Sequence, residues 1–181
     1  MMEEPRYYTM FSKLFAYPEE GYREAMREAG NALTVPDCGL VQSKEQLDAF
    51  LQKTNELTLD DFEELYTRTF DINPVANLEI GWHLWGEAYE RGAFLVNMRT
   101  LLKQHGITES SELPDHLTHV LAALGKMERN EAQEFTATFL KKALDKIVEG
   151  FKEKENPYEH LLLALQQIVM YHHQQGENAH G

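Results

Sequence analysis

Hydrophobic positions recur three and four residues apart along most of this chain, the spacing of one buried helix face. Tyr7, Met10, Phe11, Leu14 and Phe15 form the first stripe, and Pro18, which cannot continue a helix, stops it. A second short helix is expected over residues 19–33, before a break at Val35-Pro-Asp-Cys-Gly39. Ser43-Lys-Glu-Gln46 reads as a capping box that opens a helix with Leu47, Phe50 and Leu51 on one face. Thr58 or Asp60 can cap the next helix, whose apolar face is Phe62, Leu65, Tyr66 and Phe70; Asp71-Ile-Asn-Pro74 ends it.

The longest periodic stretch runs from about Asn77 to His105. Gly81, Gly86 and Gly92 weaken it by roughly 1 kcal/mol each relative to alanine, and glycine at such spacing lets another backbone or a ligand come close. Gly106 supplies a C-terminal stop. Pro114 is expected in the first turn of a helix carrying Leu117, Val120, Leu121 and Leu124. Asn130-Glu-Ala-Gln133 repeats the capping logic ahead of Phe135, Phe139, Leu140, Leu144 and Ile147. Asn156-Pro-Tyr-Glu159 opens a last helix with Leu161, Leu165, Ile168 and Val169 as its buried stripe. No run alternates apolar and polar residues in the manner of a strand. The expected fold is therefore all-α, a single compact multi-helix bundle over residues 1–173, with 174–181 as a disordered tail.

The bulk numbers narrow the function. At 181 residues, 43% hydrophobic and 26% charged, the chain can bury a core without disulfides or a structural metal. Cys38 is the sole cysteine, which leaves no disulfide within the chain and no Cys-x-x-Cys site; it reads as a small linker residue. A formal net charge of -13 repels nucleic acid and anionic membranes and favours cationic partners. No apolar run approaches the roughly 18 residues of a membrane span, and Met1-Met-Glu-Glu-Pro-Arg lacks the order of a secretory signal. A cytoplasmic address is expected. The sequence carries no glycine-rich phosphate loop, no Gly-x-Ser-x-Gly elbow and no His-Glu-x-x-His zinc helix.

Candidate chemistry gathers in two stretches. In Glu112-Leu-Pro114-Asp115-His116-Leu117, Asp115 sits at a helix entrance, where it can accept orphan amides and complement the positive dipole end, or can receive a cationic group from a partner. His116 can hydrogen-bond a carbonyl or act as a pH-sensitive contact. In the second stretch, Trp82 and Trp85 lie three apart on one helix face; core is preferred for Trp82, while groove and core are equally open for Trp85. Glu87, Glu90 and Arg91 read first as a solvated face. His116 and His119, three apart with Asp115 nearby, keep open a metal-binding helical protein or an enzyme, although sequence fixes no third ligand.

The ordered set Tyr66-Thr-Arg-Thr-Phe70-Asp71, Leu78-Glu-Ile-Gly-Trp82-His83-Leu-Trp85-Gly86-Glu87-Ala-Tyr-Glu-Arg91-Gly92 and Glu112-Leu-Pro-Asp-His-Leu117, preceded by Leu14-Phe-Ala-Tyr-Pro18, resembles the cytoplasmic assembly chaperones of molybdenum oxidoreductases. These are the nitrate reductase delta-subunit (NarJ) type within the TorD/DmsD superfamily. Two departures lean towards the nitrate branch. Val120-Leu-Ala-Ala-Leu124 replaces an acid-bearing Leu-Glu-Phe-Leu type helix, and Asn77-Leu-Glu-Ile stands where the other reductase chaperones carry a Pro-Tyr-Glu-Ser-like turn. The resemblance implies a non-enzyme without cofactor or metal, which holds the N-terminal, often basic peptide of an apo-catalytic molybdopterin oxidoreductase subunit until its cofactor is inserted, before export or membrane docking. It implies peptide contacts from Glu112, Pro114, Asp115, His116, Tyr66, Phe70, His83, Trp85, Glu87 and Arg91. A structural subunit of an oxidoreductase complex is a third reading. The state expected is a monomer or a domain-swapped dimer hinged at residues 35–43.

Overall fold

The computed structural model describes residues 4–33, 38–151 and 155–179. In chain order the helices are α1 (Glu4–Leu14), α2 (Tyr22–Ala32), α3 (Val41–Lys53), α4 (Leu59–Tyr66), α5 (Ile80–Trp85), α6 (Tyr89–Gln104), α7 (Leu117–Leu124), α8 (Arg129–Phe135), α9 (Lys141–Glu149) and α10 (Pro157–Ala179). Among the described residues there is no strand, only an isolated antiparallel bridge between Glu79 and His116. The all-α expectation holds.

One core threads the whole bundle. α10 packs along α3 and α9, α1 against α7, and α5 against α9. Ser43 Oγ donates to Ala164 O at 2.8 Å, tying α3 to α10, and Ser12 Oγ donates to Thr118 O at 2.8 Å, tying α1 to α7. Buried hydroxyls satisfy carbonyls that the helix ends leave unpaired: Tyr22 donates to Leu14 O and Tyr66 to Phe15 O. Around them Tyr66, Phe70, Tyr158 and Phe151 meet edge-on or tilted, with centroids 4.8–6.2 Å apart.

Several boundaries differ from the sequence expectation, each for a local reason. Thr58 does cap α4, in a reciprocal box with Asp61. Ser43 caps nothing: α3 begins at Val41, out of a short turn at Cys38–Leu40, and Ser43 is buried inside it. The rest of the expected break and hinge, residues 35–37, lies outside the described residues. The Asn77–His105 stretch is two helices, because Gly86 takes φ 59° and turns the chain. α7 starts at Leu117, so Pro114 sits in the preceding loop. α8 starts at Arg129 rather than after Asn130. Asn156 opens α10 as expected, its Oδ1 accepting the Tyr158 amide at 3.0 Å. α10 stays helical through residues 174–179, the described part of the expected tail.

Two π turns matter for position. The first, Thr67–Asp71, extends α4 and delivers Phe70 and Asp71 to the same end of the bundle as α5. It is pinned from α10 by Asn156 Nδ2, which donates to Thr69 Oγ1 at 2.7 Å. The second, Thr136–Leu140, joins α8 to α9 in one bent run. Lys146 on α9 donates to His83 O at 2.7 Å, holding the end of α5.

Candidate functional site

The segment Glu112–Leu117 crosses the start of α5 antiparallel to residues 78–81. Leu117 N–H donates to Leu78 O at 2.8 Å, and Ile80 N–H donates to Asp115 O at 3.0 Å. Gly81 N–H donates to the Asp115 carboxylate at 3.0 Å. The first two amides of α5 are thus satisfied by one residue from a distant segment, a helix cap supplied in trans. Asp115 is fully buried, and a Cβ on Gly81 would lie 2.5 Å from its Oδ2. Glycine is required at position 81 because a carboxylate occupies the side-chain space.

Asp115 also faces Arg91, 3.6 Å from its Nη2, which binds Glu79 more closely at 2.6 Å. The Arg91 guanidinium stacks over Trp82, 5.6 Å from the ring centre. Burial pushes the Asp115 carboxyl upward, with the Arg91 charge opposing. Asp115 therefore caps the N-terminus of α5 and not that of the helix that follows it.

His116 caps that following helix. Its Nδ1 accepts from the Thr118 amide at 3.3 Å and the Thr118 hydroxyl at 2.8 Å, so the neutral ring carries its proton on Nε2, 3.9 Å from Glu112. Burial drives its pKa down to about 3. The native state thus binds fewer protons than the unfolded chain between about pH 6.5 and 3. Stability from a neutral His116 is fully present above pH 6.5 and is lost as pH falls through that window. His116→Asn keeps a capping oxygen and removes the proton site. Urea titrations at pH 7 and pH 4.5 should show the wild type losing at least about 1 kcal/mol more than the variant; equal losses would assign the acid sensitivity elsewhere.

His119 is spent on the loop: Nε2 accepts from Ser110 N–H at 3.0 Å, and Nδ1–H donates to Leu113 O at 2.8 Å. Among the described residues no group of three or more His, Cys, Asp or Glu side chains is arranged to hold a metal ion. Asp115, His116 and His119 are each committed to backbone partners.

Over this junction lies an open cleft of about 430 Å³. Glu112, His116, Phe70 and Arg91 line it, as the sequence reading proposed for a partner site. Asp71, Glu79 and Trp82 line it too, and Ile72 and Pro74 form part of its wall. Ile72 in its wall is exposed at 72%, an apolar edge beside acidic walls, and Val75 and Leu113, next in sequence to the lining residues Pro74 and Glu112, are exposed at 58% and 41%. Burial raises the Glu112 carboxyl, reinforced by the charges of Asp71 and Glu79.

The other proposed contacts fall elsewhere. Tyr66 is a core residue with its hydroxyl on Phe15 O; Phe70 is buried and only its edge reaches the cleft. Pro114 is buried in the loop. Trp85 packs on Phe94 and Phe139, at 4.8 and 6.1 Å between ring centres, on the inner side of α5. Trp85 thus takes the core alternative of the two left open, whereas Trp82, expected in the core, faces the cleft and donates to Pro74 O at 3.1 Å. His83 is half-buried against Asn77 O at 2.7 Å, and Glu87 is exposed beyond the Gly86 turn. Asp71, Ile72 and Glu79 were legible only as a helix end and a linker. An isoleucine inside a proline-terminated turn was the one available signal for the rim.

The family profile of the nitrate reductase delta subunit matches residues 37–164, which include the cleft and both helix starts. The chain belongs to the nitrate reductase delta subunit family. Within that family it is similar to proteins named nitrate reductase molybdenum cofactor assembly chaperone NarJ, from Escherichia coli strain K12 and from Escherichia coli O157:H7. Each is 28% identical over 124 residues, covering 68% of this chain and 52% of the relative. The chain thus spans about half the length of the curated relatives it matches. The delta-subunit fold extends to a crystal structure from Archaeoglobus fulgidus, proposed to be a redox enzyme maturation protein, with a TM-score of 0.64 and 18% identity over 94% of this chain and 96% of that one. No helix among the described residues is long and apolar enough to cross a membrane.

Proposed function

We propose that this protein is an assembly chaperone, not an enzyme, for a molybdenum oxidoreductase of the nitrate reductase type. It binds the N-terminal peptide of the apo-catalytic subunit in the cleft above α5 and holds that subunit in the cytoplasm until molybdopterin is inserted, before export or membrane docking. The observation that carries this reading is the cleft itself: carboxylates Asp71, Glu79 and Glu112, the Trp82 face, and the exposed Ile72 in its wall. That combination suits a basic amphipathic segment, with apolar anchors on the rim and cations against the acids. The names of the Escherichia coli relatives supply the client class.

Calorimetric titration with the N-terminal peptide of the molybdenum enzyme encoded nearest to this chain tests it. Low-micromolar binding is expected, weakened about three- to tenfold by Glu112→Gln and at least tenfold by Trp82→Ala. Binding insensitive to both would move the site, and no binding to peptide or apo-subunit would sink the function.

A further inference from the structure

We propose that Arg91 is a built-in stand-in for the cationic side chain of the bound segment, displaced from Glu79 and the Trp82 face when a ligand's guanidinium or ammonium group enters. The inference rests on the cleft being the peptide site and names the chemistry it reads.

The cage already holds a guanidinium, and it is the protein's own. Arg91 Nη2 lies 2.6 Å from Glu79 and 3.6 Å from Asp115, with its guanidinium carbon 5.6 Å from the Trp82 ring centre. Carboxylates on one side and an indole face on the other form the environment that any planar cation prefers. The occupancy is incomplete. A forked arginine–carboxylate pair uses two parallel N–H bonds, whereas here Arg91 Nε is buried without a partner, as is Asp115 Oδ1. The contact to Glu79 is therefore a single bond, weaker than the fork a freely positioned guanidinium would make.

The cleft also has more negative charge than Arg91 answers. Asp71 and Glu112 line it, and neither has a lysine or arginine partner among the described residues. His116, 3.9 Å from Glu112, stays neutral because burial drives its pKa to about 3. Arg91 thus neutralises the inner end of the cage in the empty state and leaves the outer acids for an incoming cation. A neutral segment gains nothing by moving Arg91. A segment that brings its own cation replaces one ion pair with another and adds apolar contact at Ile72, so the internal arginine acts as a selectivity threshold.

The test pairs the client peptide described above with a version in which every arginine is citrulline, its neutral isostere. Each is titrated into wild type and Arg91→Gln. The arginine peptide should bind the variant about fivefold or more tightly than wild type, the effect of one removed like charge at contact distance. That gain should shrink as salt rises, and the citrulline peptide should not gain. Equal or weaker binding of the arginine peptide to a folded Arg91→Gln, with wild type binding it, would overturn the stand-in and leave the chaperone reading intact. Wild type binding neither peptide would sink both.

Because Asp115 loses its cation in that variant, a second measurement leaves position 91 untouched. In Trp85→Phe protein, Trp82 is the only remaining tryptophan of the two. Its fluorescence should change on saturation with the arginine peptide, as the stacked guanidinium leaves, by clearly more than with the citrulline peptide. The same change with both would overturn the displacement.

Discussion

Replacing Asp115 with alanine should destabilise the protein by about 3 kcal/mol, and replacing it with asparagine by only about 1 kcal/mol. Alanine removes the acceptor of the Gly81 amide and leaves that amide buried at the start of α5. It also removes one of the two carboxylates around Arg91, whose hold on Glu79 remains. Asparagine restores the acceptor at the same distance and sheds only the charge. The charge is the cheaper part, since burial already raises this carboxyl towards its neutral form. Urea midpoints at pH 7 with unchanged slopes would measure both. Equal losses for alanine and asparagine would mean that the ion pair and not the cap holds the junction. A loss below about 0.5 kcal/mol for alanine would show that the cap does not hold the junction and that Asp115 is free to serve a partner.

The helices themselves were legible because burial imposes a 3.6-residue period on the sequence. Leu47 and Phe50 on α3, Phe62, Leu65 and Tyr66 on α4, and Leu161, Leu165 and Ile168 on α10 all face the core as that period requires. Boundaries were legible where a local side-chain bond makes them, as at Thr58 and Asn156, and illegible where a distant segment does. Nothing near Ile80 announces that its helix begins there, because its cap arrives from residue 115. The same long-range logic hid the role of Ser43, whose hydroxyl serves a carbonyl on α10 instead of starting α3.

The site was half legible. Residue type singled out Glu112, His116 and Arg91, which do line the cleft, but it set Asp115 at the entrance of the helix that follows it and left Trp85 open between groove and core. Helical spacing places Trp82 and Trp85 on one side of α5, yet α5 lasts only six residues and packs on α9. Which indole turns inward is decided by Phe94 and Phe139, residues no local pattern connects to it. The rim escaped for a different reason. Exposed Ile72 and Val75 follow a π turn, a feature without a sequence period.

Gly81→Ala should cost about 2–3 kcal/mol, against the sign that helix propensity gives. In an ordinary helical position alanine is favoured over glycine by roughly 1 kcal/mol. Here the new methyl would lie 2.5 Å from Asp115 Oδ2 and 3.0 Å from the Phe94 ring, so either the carboxylate leaves the Gly81 amide or α5 shifts away from its cap. The two substitutions must then be strongly coupled. With Asp115→Ala in place, only Phe94 at 3.0 Å and Arg91 Cγ at 3.4 Å remain of the three nearest atoms beside residue 81, and Gly81→Ala should fall to within about 1 kcal/mol of neutral. A double-mutant cycle in urea should therefore return a coupling of about 2 kcal/mol between residues 34 positions apart in sequence. Additive losses would mean that the carboxylate and the glycine do not share that space, and that the start of α5 is set by something other than the Asp115 cap.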